Sequence, residues 1–410
     1  MKTASKRIEA CRLCWGKLTD LFSLGEQYVS NFVPEADVLA GPLVPIEIVM
    51  CKGCSLVQQR YSANSEYLYR HRYWYQSAVT STMREHLTAA AREVTEMAAL
   101  GTGDLVIDIG ANDGTLISSF PPGLRRVGFE PAPNFEGPPG VTWLSKFWPL
   151  SDDDMDSQRL HPKAKAITAF GMFYDLEDPQ AFINGVAEHL HPDGVFVAQL
   201  MCLKQTVEQA DVGNFCHEHL EFYSLKNLKM MFDRAELELF DISENDINGG
   251  SYRLWVGHKG RFPRTNAYVE ARLAEGKMRL DEENTFHWLW SRMIRERGRC
   301  LEFINREVHK GKKIWVYGAS TKGNVILQWY NLNPATIVAA CDASPAKWGL
   351  RTPGSGIRIS NHAEFRAAKP DYALVLPWAF IEEFKTFEQD WLQSGGRFLV
   401  PLPTFREVGL

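Results

Sequence analysis

Between about residues 101 and 260 the chain alternates short apolar runs with longer stretches whose apolar residues recur at helical spacing. The runs fall at 105–109, 126–130, 141–144, 165–170 and 194–200. Such alternation predicts parallel strands joined by crossover helices. Two later runs, 237–242 and 251–257, flank Asn248-Gly249-Gly250, a strong turn signal, and suit an antiparallel sheet edge. Ahead of this region Met83, Leu87, Ala90, Val94 and Met97 mark one face of an amphipathic helix within about 73–99. Behind it, 266–310 mixes charged and apolar residues without proline, which predicts one or two long helices. A second alternation then begins, with a strand at 314–317, a turn over 318–323, a helix to about Trp329, and strands at 336–341, 372–376 and 397–402.

The predicted fold class is therefore α/β in three parts: a small N-terminal module over 1–72, a Rossmann-like core over 73–262, and a helical connection with a second Rossmann-like unit over 263–410. The length, 410 residues, exceeds what a single core usually serves. Charge adds two exclusions. The 45 basic and 50 acidic residues give a net charge of -5, and no Lys/Arg block of five occurs, which argues against a nucleic-acid groove. No apolar run reaches the roughly 18 residues of a membrane span, and the first twenty residues carry charges and two cysteines. A cytoplasmic protein that does not engage a membrane is expected.

Eight cysteines are too few for a disulfide scaffold, and four of them form Cys11-x-x-Cys14 and Cys51-x-x-Cys54, with thirty-six residues between the pairs. Each pair can set two thiolates on one turn around a tetrahedral ion, for which zinc is favoured. A closed four-thiolate shell leaves no position for substrate, so its role is structural. The alternative, two redox dithiols, lacks a thioredoxin-like strand-to-helix setting. Cys202, Cys300 and Cys341 share no spacing and read as small buried side chains.

The run Val106-Ile107-Asp108-Ile109-Gly110-Ala111-Asn112-Asp113-Gly114 is an apolar strand ending in an acidic, glycine-rich turn. A dinucleotide site would read G-x-G-x-x-G and face a pyrophosphate. Here Asp108 and Asp113 stand around Gly110 and Asn112. Carboxylates repel phosphate but suit the cationic amino end of S-adenosylmethionine. Glu130 closes the next strand 22 residues after Asp108, where it can accept from two ribose hydroxyls. Asp108 is then left to orient the methionyl end. Phe170 and Gly171 end the fourth strand, where the adenine or the sulfonium would lie. A plain Rossmann turn without cofactor is the competing reading of this motif alone.

Cys216-His217-Glu218-His219 follows the fifth strand. Its spacing is not the H-x-x-x-H of a zinc helix, so an acid/base role competes with a histidine cluster that has no catalytic duty. A neutral imidazole can remove a proton while the glutamate orients substrate.

With these residues assembled, the chain resembles the zinc-containing, S-adenosylmethionine-dependent sugar C-methyltransferases that act on nucleotide-linked 4-keto-deoxyhexoses. The resemblance runs through both cysteine pairs, Tyr73-Trp74-Tyr75-Gln76-Ser77, the Ile-Gly-Ala-Asn-Asp-Gly loop, Glu218-His219, Asn248-Gly249-Gly250 and Tyr317-Gly318-Ala319-Ser320-Thr321-Lys322-Gly323. It implies a class I methyltransferase core and methylation at carbon 3 beside the ketone. His219 becomes the base, Glu218 the group that positions the sugar, and Tyr75 a contact to substrate or cofactor. Tyr75, His217 and Asn248 are the candidate donors to an enolate oxygen. The second Rossmann-like unit, through Tyr317, Gly318, Ser320 and Lys322, is implied to hold the nucleotide diphosphate, with Asp342 meeting a ribose. The expected assembly is a monomer.

Three positions depart from the family pattern: Cys216 stands in the segment where some members carry Tyr, Asp175 where His is expected, and Gln199 where an acid is expected. These bear on which sugar is bound. Methylation of oxygen or nitrogen on another metabolite, and a noncatalytic zinc- and nucleotide-binding protein, are the rival readings.

Overall fold

The computed structural model describes residues 4–70, 73–150, 160 and 162–410. Its centre is a seven-stranded sheet in the order Leu237–Asn245, Ser251–His258, Leu190–Met201, Ala164–Phe170, Leu105–Ile109, Arg125–Phe129 and Thr142–Leu144. Strands 105–109, 125–129, 142–144, 164–170 and 190–201 pair in parallel. Ser251–His258 runs antiparallel to both of its neighbours, as the turn at Asn248 predicts. The strand Leu105–Ile109 is buried along its whole length, which is why its sequence is a continuous apolar run broken only by Asp108.

The helix expected within 73–99 is shorter, Ser81–Met97. Thr80 caps it by accepting the Met83 N–H, while Gln76 and Thr80 are extended on either side of a single 3-10 turn. The cap decides the start, and the aromatic run before it lies along a cleft. The two long helices are Asn266–Met278 and Glu283–His309.

The C-terminal sheet has six strands in the order Ile359–Ser360, Ala340–Cys341, Ile314–Tyr317, Tyr372–Val375, Arg397–Val400 and Arg406–Val408. The strand expected at 336–341 contracts to Ala340–Cys341, because the Thr336 and Ile337 N–H groups turn back to the Asn333 carbonyl.

The N-terminal module is built on a four-stranded antiparallel sheet, but one of its strands comes from far along the chain. The order is Glu221–Phe222, Val57–Gln59, Leu43–Cys51 and Leu18–Tyr28. The residues immediately after His219 thus complete the cysteine-bearing sheet. Buried Arg12 reinforces the junction with an ion pair to buried Glu221, Nε to Oε1 at 3.4 Å, and donates to the Gln59 carbonyl at 2.8 Å. Phe22, Ile48 and Val57 of the module share one apolar core with Phe215, with Phe286 and Met293 of the long helix, and with Ile314 and Leu374 of the C-terminal sheet. Phe22 stacks on Trp290 with 5.3 Å between ring centres. No helix among the described residues is long and apolar enough to cross a membrane.

Candidate active site

The four predicted cysteines converge. Their sulfur atoms all lie within 4.8 Å of one another, with Cys11 to Cys54 at 3.5 Å and Cys14 to Cys51 at 3.3 Å. Zinc–sulfur bonds of about 2.3 Å in a tetrahedron set sulfurs about 3.8 Å apart, so the cluster matches a four-cysteine zinc shell. Backbone N–H groups of Leu13 and Gly53 point at Cys11 Sγ and Cys51 Sγ at 3.4 and 3.3 Å, and such donors favour thiolates. A side chain at Gly16 would approach Cys51 Sγ to 2.9 Å, so the knuckle needs glycine there.

The predicted cofactor loop opens onto a cleft at the carboxyl ends of the parallel strands, where ligands of open α/β sheets bind. Tyr75, Gly110, Asn112, Glu130, Phe170, Gly171 and Asp175 line its first part. Gly110 has φ +71° and packs so closely on Met172 that a Cβ would come within 2.7 Å of it. Glu130 accepts the Asn112 and Ala132 N–H groups, both at 2.8 Å, and keeps lone pairs for further donors.

Asp108 lines the second part of the cleft, accepting from the Thr168 hydroxyl at 2.6 Å. Burial pushes its carboxyl up to about 7, opposed by the Thr168 bond and helped by the Glu130 charge. A carboxylate is the form that attracts a cationic amine, so cofactor affinity is expected to rise with pH through 7. One linked proton corresponds to about tenfold tighter binding at pH 8 than at pH 6. Calorimetric titration with S-adenosylmethionine checks this, and Asp108→Asn should flatten the dependence.

Asn112 and Asp113, expected at the cofactor, also hold the segment that runs past the cleft. The Asn112 side chain accepts the Ser77 N–H and donates to the Tyr75 carbonyl, each at 3.0 Å, while Asp113 accepts the Ala78 N–H at 2.8 Å. Together they clamp the 75–78 segment over the cleft. Asn112 still lines both parts of it, whereas Asp113 lines neither.

His219 projects into the second part, with Tyr75, Asp108, Tyr174, Gln199, Met201, Asn248 and Lys322. Its Nδ1 lies 2.9 Å from the Asn214 carbonyl oxygen, which can only accept. The hydrogen is therefore on Nδ1, and Nε2 carries the lone pair of a base. Its ring meets Tyr174 edge-on at 4.4 Å. Burial, the Lys322 charge and the opposing Asn214 bond set its pKa at about 3, so it is neutral at physiological pH. The Cys216 and His219 carbonyls accept from Gln59 Nε2, the latter at 3.0 Å, and the Leu220 carbonyl accepts the Gln59 N–H at 2.9 Å. The cysteine-bearing module thus holds the backbone of the base.

The rest of this segment points elsewhere. His217, expected as an enolate donor, instead bonds through Nε2 to the Val44 carbonyl at 3.0 Å, and it lines neither part of the cleft. Buried Cys216 packs in the apolar core beneath, away from the expected substrate contact. Glu218 is buried with Oε2 unpartnered and lines neither part, so no sugar-positioning contact is visible for it. Asp175 lines the first part, and its carboxyl is pushed well above its usual range by burial and by Glu218. Gln199 is fixed from behind, its Oε1 accepting from Arg253 at 3.1 and 3.2 Å with His86 Nε2 at 2.8 Å.

A third part of the cleft lies against the C-terminal unit, lined by Tyr75, Asn248, Tyr317, Gly318, Ser320, Asp342, Lys347 and His362. Tyr317 is buried at the base of this part, its ring stacked on His362 with 5.1 Å between ring centres and its hydroxyl donating to Glu388 at 2.8 Å. Ser320 caps the helix Thr321–Trp329, and Gly318 at φ +83° packs on Pro377. Asp342 is paired with Lys347 at 3.1 Å. Lys322, expected at a phosphate here, turns the other way: it lines the second part and pairs with Asp211 at 3.0 Å, because that buried carboxylate needs a cation. Asn214, Gln59, Arg12, Asp211 and Tyr174 carried no motif signal. Their roles arise from contacts between distant segments.

Three family models match in succession: "Putative zinc binding domain" over 11–69, "Methyltransferase domain" over 83–242, and "C-methyltransferase C-terminal domain" over 246–403. Cysteine cluster, strand order, cleft and matched domains define the class: an S-adenosylmethionine-dependent C-methyltransferase with an N-terminal zinc site. The chain is similar along its entire length to the C-methyltransferase NovU of Streptomyces niveus, 28% identical over 419 residues, covering 100% of this chain and 99% of that protein. Among solved structures, an S-adenosylmethionine-dependent methyltransferase from Clostridium acetobutylicum aligns over 43% of this chain and 92% of its own, with 12% identity and a TM-score of 0.35. The N-methyltransferase NodS of Bradyrhizobium japonicum aligns over 43% and 96%, with 11% identity and a TM-score of 0.32.

Proposed function

We propose that the enzyme methylates carbon 3 of a nucleotide-linked 4-keto-deoxyhexose through an enolate, acting as a monomer in the cytoplasm. The observation that carries this reading is the free Nε2 of His219 in the same cavity as Asp108 and the Gly110 loop. A neutral imidazole with an unprotonated Nε2 can remove a carbon-bound proton that a neighbouring ketone has acidified. Asp108 and Glu130 orient the methionyl and ribose ends of the donor. Tyr75 lines all three parts of the cleft and is 38% exposed, so it can touch donor and acceptor at once. The third part, with the Tyr317 ring and the Asp342–Lys347 pair, takes the nucleotide, which leaves the sugar at His219. When bound, S-adenosylmethionine supplies a methyl group whose bond to sulfur breaks as its bond to carbon 3 forms.

The test is a mass-spectrometric screen of nucleotide-linked 4-keto-deoxysugars with S-adenosylmethionine. The expected product gains one methylene, placed on carbon 3 by carbon NMR. A methyl group on oxygen or nitrogen, or no gain with any such sugar, would overturn the reading.

A further inference from the structure

Resting on that enolate reading, we propose that Lys322, reaching in from the C-terminal unit, is the cation that receives the enolate oxygen. Among the described residues lining the second part of the cleft it is the sole cation, and it shares that lining with His219. Its Nζ lies 3.0 Å from Asp211 Oδ2, 3.2 Å from the Asn248 carbonyl and 3.3 Å from Met201 Sδ. An ammonium has three donors. Two meet good oxygen acceptors, while the third meets a thioether, a weak acceptor that a substrate oxygen outcompetes.

The turn that delivers the Asn248 carbonyl is built for this contact. Asn248, Gly249 and Gly250 have φ of 58°, 90° and 120°, which side chains rarely tolerate in succession. A Cβ on Gly250 would also come within 1.7 Å of Gln205 Oε1. The same turn therefore fixes one wall of the cavity and one partner of the lysine. Asp211 pairs with the ammonium and aims it, and 27% of the lysine side chain is exposed.

In the step assigned to these residues, the carbon 3 proton passes to His219 Nε2. The C–H electron pair becomes the carbon 3–carbon 4 double bond, and the carbonyl pair moves onto the carbon 4 oxygen, facing Lys322. Any donor's bond to that oxygen strengthens as its negative charge grows, and the ammonium of Lys322 adds the attraction of opposite charges, so it gains more than neutral Tyr75 or Asn248.

The experiment follows deuterium uptake at carbon 3 from heavy water in the absence of S-adenosylmethionine, using the full chain and the sugar nucleotide found in the screen. Lys322→Met should exchange about 10²–10³-fold more slowly, the usual cost of losing one oxyanion donor. The double variant Asp211→Asn/Lys322→Met, which leaves no unpaired carboxylate, should be as slow while melting like the wild type. Lys322→Arg should retain part of the rate. The acid limb of the exchange profile should move to higher pH in Lys322→Met, because His219 loses a neighbouring cation. Exchange at the wild-type rate in the double variant makes the lysine a strut and overturns the proposal. If the wild type binds S-adenosylmethionine but exchanges no carbon 3 proton, the enolate reading fails and this assignment falls with it.

Discussion

His219→Asn is expected to lose carbon 3 exchange and methyl transfer by about 10²–10⁴-fold, the range for a positioned general base, while keeping its affinity for S-adenosylmethionine. The separation follows from the proposed roles: Gly110 and Glu130, the proposed donor contacts, follow the strands Leu105–Ile109 and Arg125–Phe129, whereas His219 lies beyond the fifth parallel strand. Asparagine leaves a buried polar group near the Asn214 carbonyl, and a changed bond there costs about 1–3 kcal/mol. The melting temperature should be recorded with the rate. A companion variant, Asn214→Leu, keeps the imidazole but removes one of the two oxygens that face Nδ1. It should slow exchange less than His219→Asn. The pH dependence adds a second check. An isolated imidazole gains its proton near pH 6.5, whereas this one holds its lone pair down to about 3. The rate governed by the base should thus stay level well below pH 6. A fall centred near 6.5 would mean that some other group removes the proton.

Loss of the zinc site is the second large effect. Cys14→Ser, or prolonged chelation, should release one zinc per chain and expose residues 11–70 to proteolysis. Structural zinc is worth an apparent 10–16 kcal/mol in small domains. Here part of that is replaced by the module's packing on the long helix, so we expect a melting point lower by about 10 °C or more, at roughly 2–4 °C per kcal/mol. Exchange at carbon 3 should be lost with the metal, although the ion lies outside the chemistry. The reason is the fourth strand of the module sheet, Glu221–Phe222, which leads directly out of His219. A zinc-free protein with unchanged exchange and melting would refute the link. Metal content by emission spectroscopy, measured beside activity, decides it.

Much of this was legible in the sequence, and the physical boundary is sharp. The inner parallel strands Leu105–Ile109, Ala164–Phe170 and Leu190–Met201 appear as apolar runs because most of both their faces is covered, and Asn248-Gly249-Gly250 announces the antiparallel edge through backbone conformations only such residues favour. The cysteine pairs needed no more than spacing. Glu221–Phe222 was invisible: two residues show no period, and their partner strand lies more than 160 residues earlier. Which of the two histidines faces the cleft was invisible for the same reason. With no regular element, nothing local says that His217 faces Val44 and His219 faces the cleft. Lys322 was drawn to a phosphate by its glycine-rich neighbours, whereas a buried carboxylate 111 residues earlier sets its direction.

The contacts between the two ends of the chain also constrain how it is made. Tyr28 and Gln328 exchange backbone-to-side-chain bonds at 2.8 and 3.0 Å across 300 residues, and Ser30 donates to the Thr321 carbonyl at 3.1 Å. At a synthesis rate of about 5–20 residues per second, the first-made part of the chain waits on the order of 15–60 s for the surface it packs against. During that interval the module rests on its own three strands, Leu18–Tyr28, Leu43–Cys51 and Val57–Gln59, and on its four-cysteine site.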